Sequence, residues 1–150
     1  MQHQVEVSRV IAATPTALYD LVADLPQMAR WSPENTGGAW VKGATRATVG
    51  ARFKGTNRKG SMKWSTLATV VTAEPGAEFA FAVTASGMKV AHWGFRFEAV
   101  EGGTQVTEYW DDQRNAVMAK ITGMVLRVPD RSSHNRVGME QTLERLGASV

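Results

Sequence analysis

The central half of the sequence is a succession of short strand patterns separated by glycine turns. Apolar and small or polar residues alternate within these patterns, so that Phe79, Phe81 and Val83 share one side of a strand. The turn glycines recur at hairpin-like intervals, at Gly37-Gly38, Gly43, Gly50, Gly55, Gly60, Pro75-Gly76, Gly87 and Gly102-Gly103. Connections this short favour sequential antiparallel pairing. We therefore predict an antiparallel sheet of five or six strands across residues 37–112, preceded by a first strand at residues 3–12.

Helical signals stand between the first strand and this sheet. Thr14-Pro15 predicts a helix start, because threonine caps a first turn and proline fits the first helical position. Apolar residues then recur at helical spacing, which predicts a helix over residues 15–24 that ends at Pro26. One more helical turn is expected before Ser32-Pro33.

The C-terminal part is helical again. Residues 116–128 are apolar up to Pro129 and favour either a helix or a mobile segment that covers a pocket, with a dimer contact or core packing as alternatives. Asp130 is expected to cap a final helix that runs to about Leu146 and stops at Gly147. The buried stripe of that helix is predicted to contain Val137, Met139, Leu143 and Leu146.

The composition excludes several classes of function. The 150 residues suit one domain, and 43% hydrophobic with 21% charged residues is ordinary for a folded chain. Because cysteine is absent, disulfides, thiolate metal sites and a cysteine nucleophile are excluded. The sequence has neither a signal-peptide pattern at its start nor an apolar run of about eighteen residues, so we expect a soluble cytoplasmic protein.

Positive charge is concentrated in one segment, although the net charge is only +3. No acidic residue occurs between Glu34 and Glu74, where seven cations stand: Lys42, Arg46, Arg52, Lys54, Arg58, Lys59 and Lys63. One interpretation is a solvated set of strands whose lysines block edge pairing. The other is a contact with an anion or a phosphate.

Motifs for metals, phosphates and nucleophilic catalysis are missing. Residues 55–61 begin like a phosphate-binding loop, but Ser61 stands where that loop requires lysine, and a strand pattern follows. His3, His92 and His134 match no metal-ligand spacing. Serine-hydrolase, zinc-protease and dinucleotide motifs are also absent, so we expect neither a metal nor a cofactor.

The predicted order of elements is a strand, two short helices, a run of strands and a long C-terminal helix. Together with several sequence segments, this order resembles a known family over nearly the whole chain. The segments are Val5–Ala12 with Thr14–Val22, Trp31–Glu34, Gly50–Arg58 with Trp64, Gly138-Met139 and Thr142–Leu146. In these segments the chain resembles the START-like (Bet v 1-like, SRPBCC) superfamily, and within it the bacterial proteins of polyketide cyclase/dehydrase type. The resemblance implies an α+β helix-grip fold, in which a curved antiparallel β-sheet wraps a long C-terminal helix, with two short N-terminal helices and a cavity between sheet and helix. Gly94, inside a strand pattern, is a place where such a sheet can bend.

Large apolar side chains are expected to line that cavity and to bind a ligand. The candidates are Trp31, Phe53, Trp64, Phe79, Phe81, Trp93, Phe95 and Trp110, with Met124 from the covering segment. The alternative for each of them is a place in an ordinary core.

Glu108 is the first of two polar candidates for both ligand binding and catalysis. It stands between Val106 and Trp110 on the apolar side of its strand, so its carboxyl should be desolvated and its pKa raised, as a general acid or base requires. A partner such as Arg96, or a register different by one residue, is the alternative.

Asn57 is the second polar candidate for both roles. It lies where the family likeness is strong and would donate a hydrogen bond to a ligand carbonyl or an enolate, as would the adjacent Arg58. The alternative is a turn residue between Gly55 and Gly60.

Three functions follow from these observations. The first is binding of a small hydrophobic or amphipathic molecule, such as a lipid, isoprenoid or polyketide. The second is an enzyme of the cyclase or dehydrase type, with Glu108 as general base. The third is an interaction protein that uses its basic strands, although nucleic acid is not expected as a partner at this net charge; a homodimer stays open.

Overall fold

The computed structural model describes residues 3–126, 128 and 130–150. The strands are β1 (Val5–Ile11), β2 (Asn35–Val41), β3 (Arg52–Lys59), β4 (Met62–Glu74), β5 (Glu78–Ala85), β6 (Met88–Val100) and β7 (Gly103–Asp112). The helices are α1 (Pro15–Ala23), a 3-10 helix (Leu25–Arg30), α2 (Ala116–Val125) and α3 (Arg131–Ala148).

The strands form one curved antiparallel sheet in the order β1-β7-β6-β5-β4-β3-β2. The hairpins from β2 to β7 pair in sequence, and β1 pairs with β7, so that β1 and β2 are the edge strands. This confirms the predicted antiparallel sheet and the α+β helix-grip architecture. Because neighbouring strands alternate in direction, β3, β5 and β7 all finish at one end of the sheet, which we call the open end.

The opposite end of the sheet, which we call the closed end, is covered by α1. Thr14 caps this helix by accepting a hydrogen bond from the Ala17 backbone at 3.2 Å, and Pro15 is its first residue. Its buried Tyr19 packs edge-on against Phe79 and Phe97, with ring centroids 6.0 Å apart in both pairs. The predicted helix over residues 15–24 is therefore confirmed to within one residue.

The C-terminal helix α3 runs from the open end towards the closed end and packs mainly against β1. Asp130 caps it through the Ser133 backbone at 3.2 Å, as predicted. Its buried stripe contains Met139, Leu143 and Leu146, together with the polar Asn135 and Thr142. Val137 is 56% exposed, so its predicted place in the stripe is wrong, since it lies only two residues, or more than half a turn, from Met139. The helix also continues through Gly147 to Ala148.

The preceding helix α2 is shorter than the predicted segment and packs differently from a core helix. It ends at Val125, and none of its residues is buried. The core-packing alternative is therefore wrong. Pro129, the predicted interruption, lies outside the described residues. Among the described residues, no helix is long and apolar enough to cross a membrane.

Candidate functional site

The concave face of the sheet, which faces α1 and α3, carries the aromatic residues that the sequence selects. Trp31 and five of the strand aromatics are almost completely buried: Phe53, Phe79, Phe81, Phe95 and Trp110. Trp93 is half-buried and lies beside Trp110, with ring centroids 6.2 Å apart. The buried members pack together in the hydrophobic core, which is the alternative to a ligand-contact role for each of them. Their role as ligand contacts stays a prediction.

Glu108 lies on this apolar face in the middle of β7. Its cross-strand neighbours are Val7 on β1 and Phe95 on β6. The residue is only 4% exposed, and its Oε1 atom is buried without a hydrogen-bond partner. Burial raises the pKa of the carboxyl well above its ordinary value of 4.5, because removal from water penalises the charged form. The side chain is thus a buried neutral acid at pH values where exposed carboxyls are charged.

Arg96 does not pair with Glu108. In the register of β6 and β7 it stands opposite Thr107, one residue away, and so projects from the convex face. There its guanidinium donates a hydrogen bond of 2.8 Å to Glu6 on β1. The suggested Arg96 partner for Glu108 is therefore wrong, and the one-residue register alternative does not apply.

Asn57 lies inside β3 rather than in a turn. It pairs with Asn35 on β2 and with Trp64 on β4, and its Nδ2 donates a hydrogen bond to Thr66 Oγ1 at 3.2 Å. The turn is formed three residues later at Gly60, where φ is +61°. The turn interpretation of Asn57 is therefore wrong. Asn57, Trp64 and Thr66 are half-buried and form a polar-aromatic group near the open end.

Two other candidates point elsewhere. Arg58 is exposed, and its Nε donates to the Gly60 carbonyl at 2.7 Å, so its side chain follows the turn rather than the concave face. Met124 on α2 is also exposed. Neither joins Glu108 or the buried aromatic residues in the structure.

The described residues form two pockets of note, and Glu108 lines neither of them. The larger, of about 560 Å³, is a cleft between α1 and the loop after β2, lined by Tyr19, Trp40 and Val49 among others. The smaller, of about 350 Å³, lies on the convex face at the closed end, beside Glu78 and Arg96. The expected cavity over the concave face is thus not one of these pockets. A ligand beside Glu108 would have to displace packed side chains or move α3, which packs against β1 and β7.

The histidines do not form a metal centre. His3 and His92 meet at Asp111, at 2.7 and 3.8 Å, whereas His134 lies 3.1 Å from Glu34. Within the described part of the chain, no group of three or more His, Cys, Asp or Glu side chains is arranged to hold a metal ion.

Sequence reasoning missed the polar group that holds α3 to the start of β2. Glu34 accepts hydrogen bonds from Arg131 at 3.0 and 3.2 Å and contacts His134 on the next helical turn. Arg131 also reaches the buried Asn135 at 3.4 Å. No local pattern marks this group, because its members are about a hundred residues apart.

The convex face of the sheet holds a second buried group of side chains. The alternation of apolar and polar residues along the strands does not reveal this group. Tyr109 projects from this face, yet it is buried, and its hydroxyl donates a hydrogen bond to Glu78 Oε2 at 2.5 Å. Gly94 stands opposite Tyr109, and a Cβ atom there would overlap the phenol ring. The lack of a side chain at Gly94 therefore makes room for the Tyr109 ring. This role is separate from any bend that the glycine allows in the sheet.

Comparison with known proteins agrees with this architecture. The sequence matches, over residues 2–148, the family described as polyketide cyclase / dehydrase and lipid transport. The chain belongs to this family. Its place in the SRPBCC superfamily, predicted from the sequence, is thereby confirmed. No curated protein matches the sequence.

Solved structures of similar fold come from several bacterial proteins. The Polyketide_cyc-like protein Cgl2372 from Corynebacterium glutamicum is 26% identical, with a TM-score of 0.64 over 97% of this chain and 90% of that chain. Protein CV1439 from Chromobacterium violaceum is 16% identical, with a TM-score of 0.72 over 96% and 94%. The di-domain ARO/CYC StfQ from the steffimycin biosynthetic pathway is 12% identical, with a TM-score of 0.73 over 96% of this chain and 49% of that chain. At these identities CV1439 and StfQ show the fold alone.

Proposed function

We propose that this family member binds one small apolar or amphipathic molecule, of the lipid, isoprenoid or polyketide class, between the concave face and α3. Glu108 fixes the polar end of that molecule. The observation that carries the proposal is the buried Glu108 carboxyl, whose Oε1 has no partner. The family description, which includes lipid transport, supports the same class of ligand.

The energetics of Glu108 favour a ligand-directed role over a structural one. A buried polar atom without a hydrogen bond costs about 1–3 kcal/mol, and an apolar residue among Val7, Phe95 and Trp110 would avoid that cost. A neutral carboxyl can donate a hydrogen bond to a carbonyl or hydroxyl oxygen of a ligand. Binding would therefore satisfy the group that folding leaves unsatisfied.

The ligand is expected to extend from Glu108 towards the open end. At the closed end Tyr19 and Phe79 fill the space over the sheet. Towards the open end Asn57, Trp64 and Trp93 keep half-buried surfaces that a ligand can cover. Each 100 Å² of apolar ligand surface removed from water contributes about 2.5 kcal/mol to binding.

The experiment is a titration that follows tryptophan fluorescence, with oleic acid, farnesol and an aromatic hydroxyquinone as probes. We expect saturable one-to-one binding of at least one probe. Glu108→Leu should weaken a carbonyl-bearing probe about tenfold, since a hydrogen bond to a buried acid is worth about 1.5 kcal/mol. Glu108→Gln, which keeps a donor, should change affinity only a few-fold. Glu98→Gln, at an exposed position of β6, is the matched control. Equal affinity in Glu108→Leu and the control would refute the role of Glu108.

A second candidate function is proton abstraction next to a carbonyl, as in a cyclase or dehydrase. The raised pKa of Glu108, caused by burial, favours it, because a carboxylate formed there is a stronger base than an exposed one. StfQ, whose fold is similar, is a di-domain ARO/CYC protein of the steffimycin biosynthetic pathway. If this protein is an enzyme, Glu108→Gln abolishes turnover of a poly-β-ketone substrate while leaving its affinity within a few-fold. Turnover that survives in Glu108→Gln would exclude this role.

A further inference from the structure

The helix α2 presents its apolar side to solvent, which is the reverse of an ordinary surface helix. Val117, Ile121 and Met124, spaced at three or four residues along one face, are 69%, 55% and 72% exposed. Thr122 on the other side receives a hydrogen bond of 2.7 Å from Arg114. This bond helps to hold α2 in an orientation that leaves the apolar side uncovered.

Two hairpin tips add exposed methionines at the same end of the molecule. The β3–β4 tip carries Met62 and the β5–β6 tip carries Met88, which are 40% and 49% exposed. Both tips lie at the open end, because β3, β5 and β7 finish there and α2 follows β7. In each tip the methionine is followed directly by an exposed lysine, Lys63 and Lys89.

Five cations at the open end have no ion pair within the described residues. They are Arg58, Lys59, Lys63 and Lys89, with Lys120 on the apolar side of α2. The carboxylates at this end are otherwise engaged: Glu34, Asp111 and Asp112 contact arginine or histidine, and Asp130 caps α3.

The closed end carries exposed charges of both signs. Its exposed carboxylates are Asp20, Asp24, Glu74, Glu98, Glu101 and Glu144, and its exposed cations are Arg9, Lys42, Arg46, Arg52 and Arg145. The closed end thus has about as many exposed carboxylates as exposed cations. The excess of unpaired positive charge lies at the open end, which is the end that an anionic surface attracts.

We propose that the open end docks on an anionic lipid surface. Val117, Ile121 and Met124 would enter the interface between headgroups and acyl chains, and Met62 and Met88 would enter beside them. The neighbouring lysines would keep their ammonium groups at the level of the anionic headgroups. This inference does not depend on which molecule the concave face binds.

Two other occupants fit less well. A second copy of the chain placed on this surface would bring the lysine clusters of both copies together, and like charges oppose such a contact. A single-stranded nucleic acid would be expected to find exposed aromatic rings for its bases. The exposed apolar side chains of the open end are valine, isoleucine and methionine instead.

The test is vesicle flotation of the full chain with phosphatidylcholine vesicles, with and without phosphatidylserine, at low and high salt. We expect binding only to the anionic vesicles, with loss at high salt. Ile121→Asp should weaken it at least tenfold by removing an inserted side chain, and Lys120→Glu by a similar factor through charge reversal. The matched controls are Val49→Asp, at a valine 68% exposed, and Arg46→Glu; both sites lie at the closed end and should leave binding unchanged.

Three results would overturn the proposal. One is equal vesicle binding by Ile121→Asp and Val49→Asp. Another is the absence of vesicle binding together with a concentration-dependent dimer that Ile121→Asp abolishes, which would make the surface a self-association site. The third is tighter binding of a single-stranded RNA oligonucleotide than of anionic vesicles at the same salt. Thermal unfolding of each variant confirms that it is folded.

Discussion

Replacing the Glu108 carboxyl by an amide should change how the stability of the protein depends on pH. The folded state keeps the Glu108 proton to higher pH than the unfolded state, because burial raises the pKa of this carboxyl above its ordinary value of 4.5. Between these two pKa values unfolding releases a proton. The free energy of unfolding therefore falls as pH rises through this window.

The magnitude follows from the single proton involved. One released proton lowers the free energy of unfolding by up to about 1.4 kcal/mol per pH unit while the pH lies between the two pKa values. Glu108→Gln has no proton to release, so this part of the slope disappears. The free energy of unfolding of the variant, relative to that of the wild type, should therefore increase as pH rises through this window.

Other carboxyls whose pKa values are shifted do not obscure this difference in pH dependence between the wild type and Glu108→Gln. Hydrogen bonds from Arg96 and Ser133 hold the pKa values of Glu6 and Asp130 below their ordinary range. At Asp111 and Asp112 burial opposes the shift, but hydrogen bonds outweigh it and lower the pKa. Groups with lowered pKa lose their stabilising contribution only as pH falls below the ordinary range, so they contribute a constant amount above about pH 5.

The assay is urea denaturation at about pH 5, 6 and 7 for the wild type, Glu108→Gln and the exposed control Glu98→Gln. The wild type and the control should share the steeper decrease, and only Glu108→Gln should lack it. Parallel pH dependence of the wild type and Glu108→Gln would refute the reasoning, since the carboxyl would then titrate as it does in the unfolded chain.

The remaining predictions concern packing and the attachment of α3, and urea denaturation measures all three. Gly94→Ala should lower the free energy of unfolding by about 1–3 kcal/mol, because the added methyl overlaps the buried Tyr109 ring; an unchanged value would mean that this ring moves freely. Gly138→Ala should raise it by about 0.5–1 kcal/mol, since the site is helical and a Cβ there meets only the Pro33 side chain at 3.7 Å. Glu34→Ala should lower it by about 1–2 kcal/mol by leaving the partly buried Arg131 without its carboxylate; a loss no larger than in Glu140→Ala, an exposed site on α3, would contradict that role.

The sequence predicts those parts of the fold that local patterns determine. Thr14 and Pro15 mark the start of α1 because capping depends only on residues within one turn. The strict alternation of β7 places Glu108 on the buried face, since side chains of a strand alternate between its two faces.

Partners across the sheet are less predictable from sequence. Arg96, for example, forms an ion pair with Glu6 and not with Glu108. Which carboxylate it reaches depends on how β6 pairs with β7 and how β7 pairs with β1. Glu34 and Arg131 meet only because α3 returns to the start of β2. Long-range contacts of this kind leave no spacing pattern in the chain.

Apolar composition alone also does not decide which surface a side chain faces. The apolar residues of α2 are equally suited to a core, a lid or an interface, and only the structure shows that they remain exposed. The position of the pockets depends likewise on how ring volumes fill the space between sheet and helices. Phe79 and Phe95, for example, are buried in the hydrophobic core.

The most direct test of the proposed ligand site is the electron density of crystals of the protein purified from its own host. We predict density for one elongated molecule on the concave face, with a polar atom within hydrogen-bond distance of Glu108 and its body against Trp93 and Trp110. Density confined to the cleft beside Tyr19 and Val49, with the Glu108 carboxyl still packed among apolar side chains, would contradict the account.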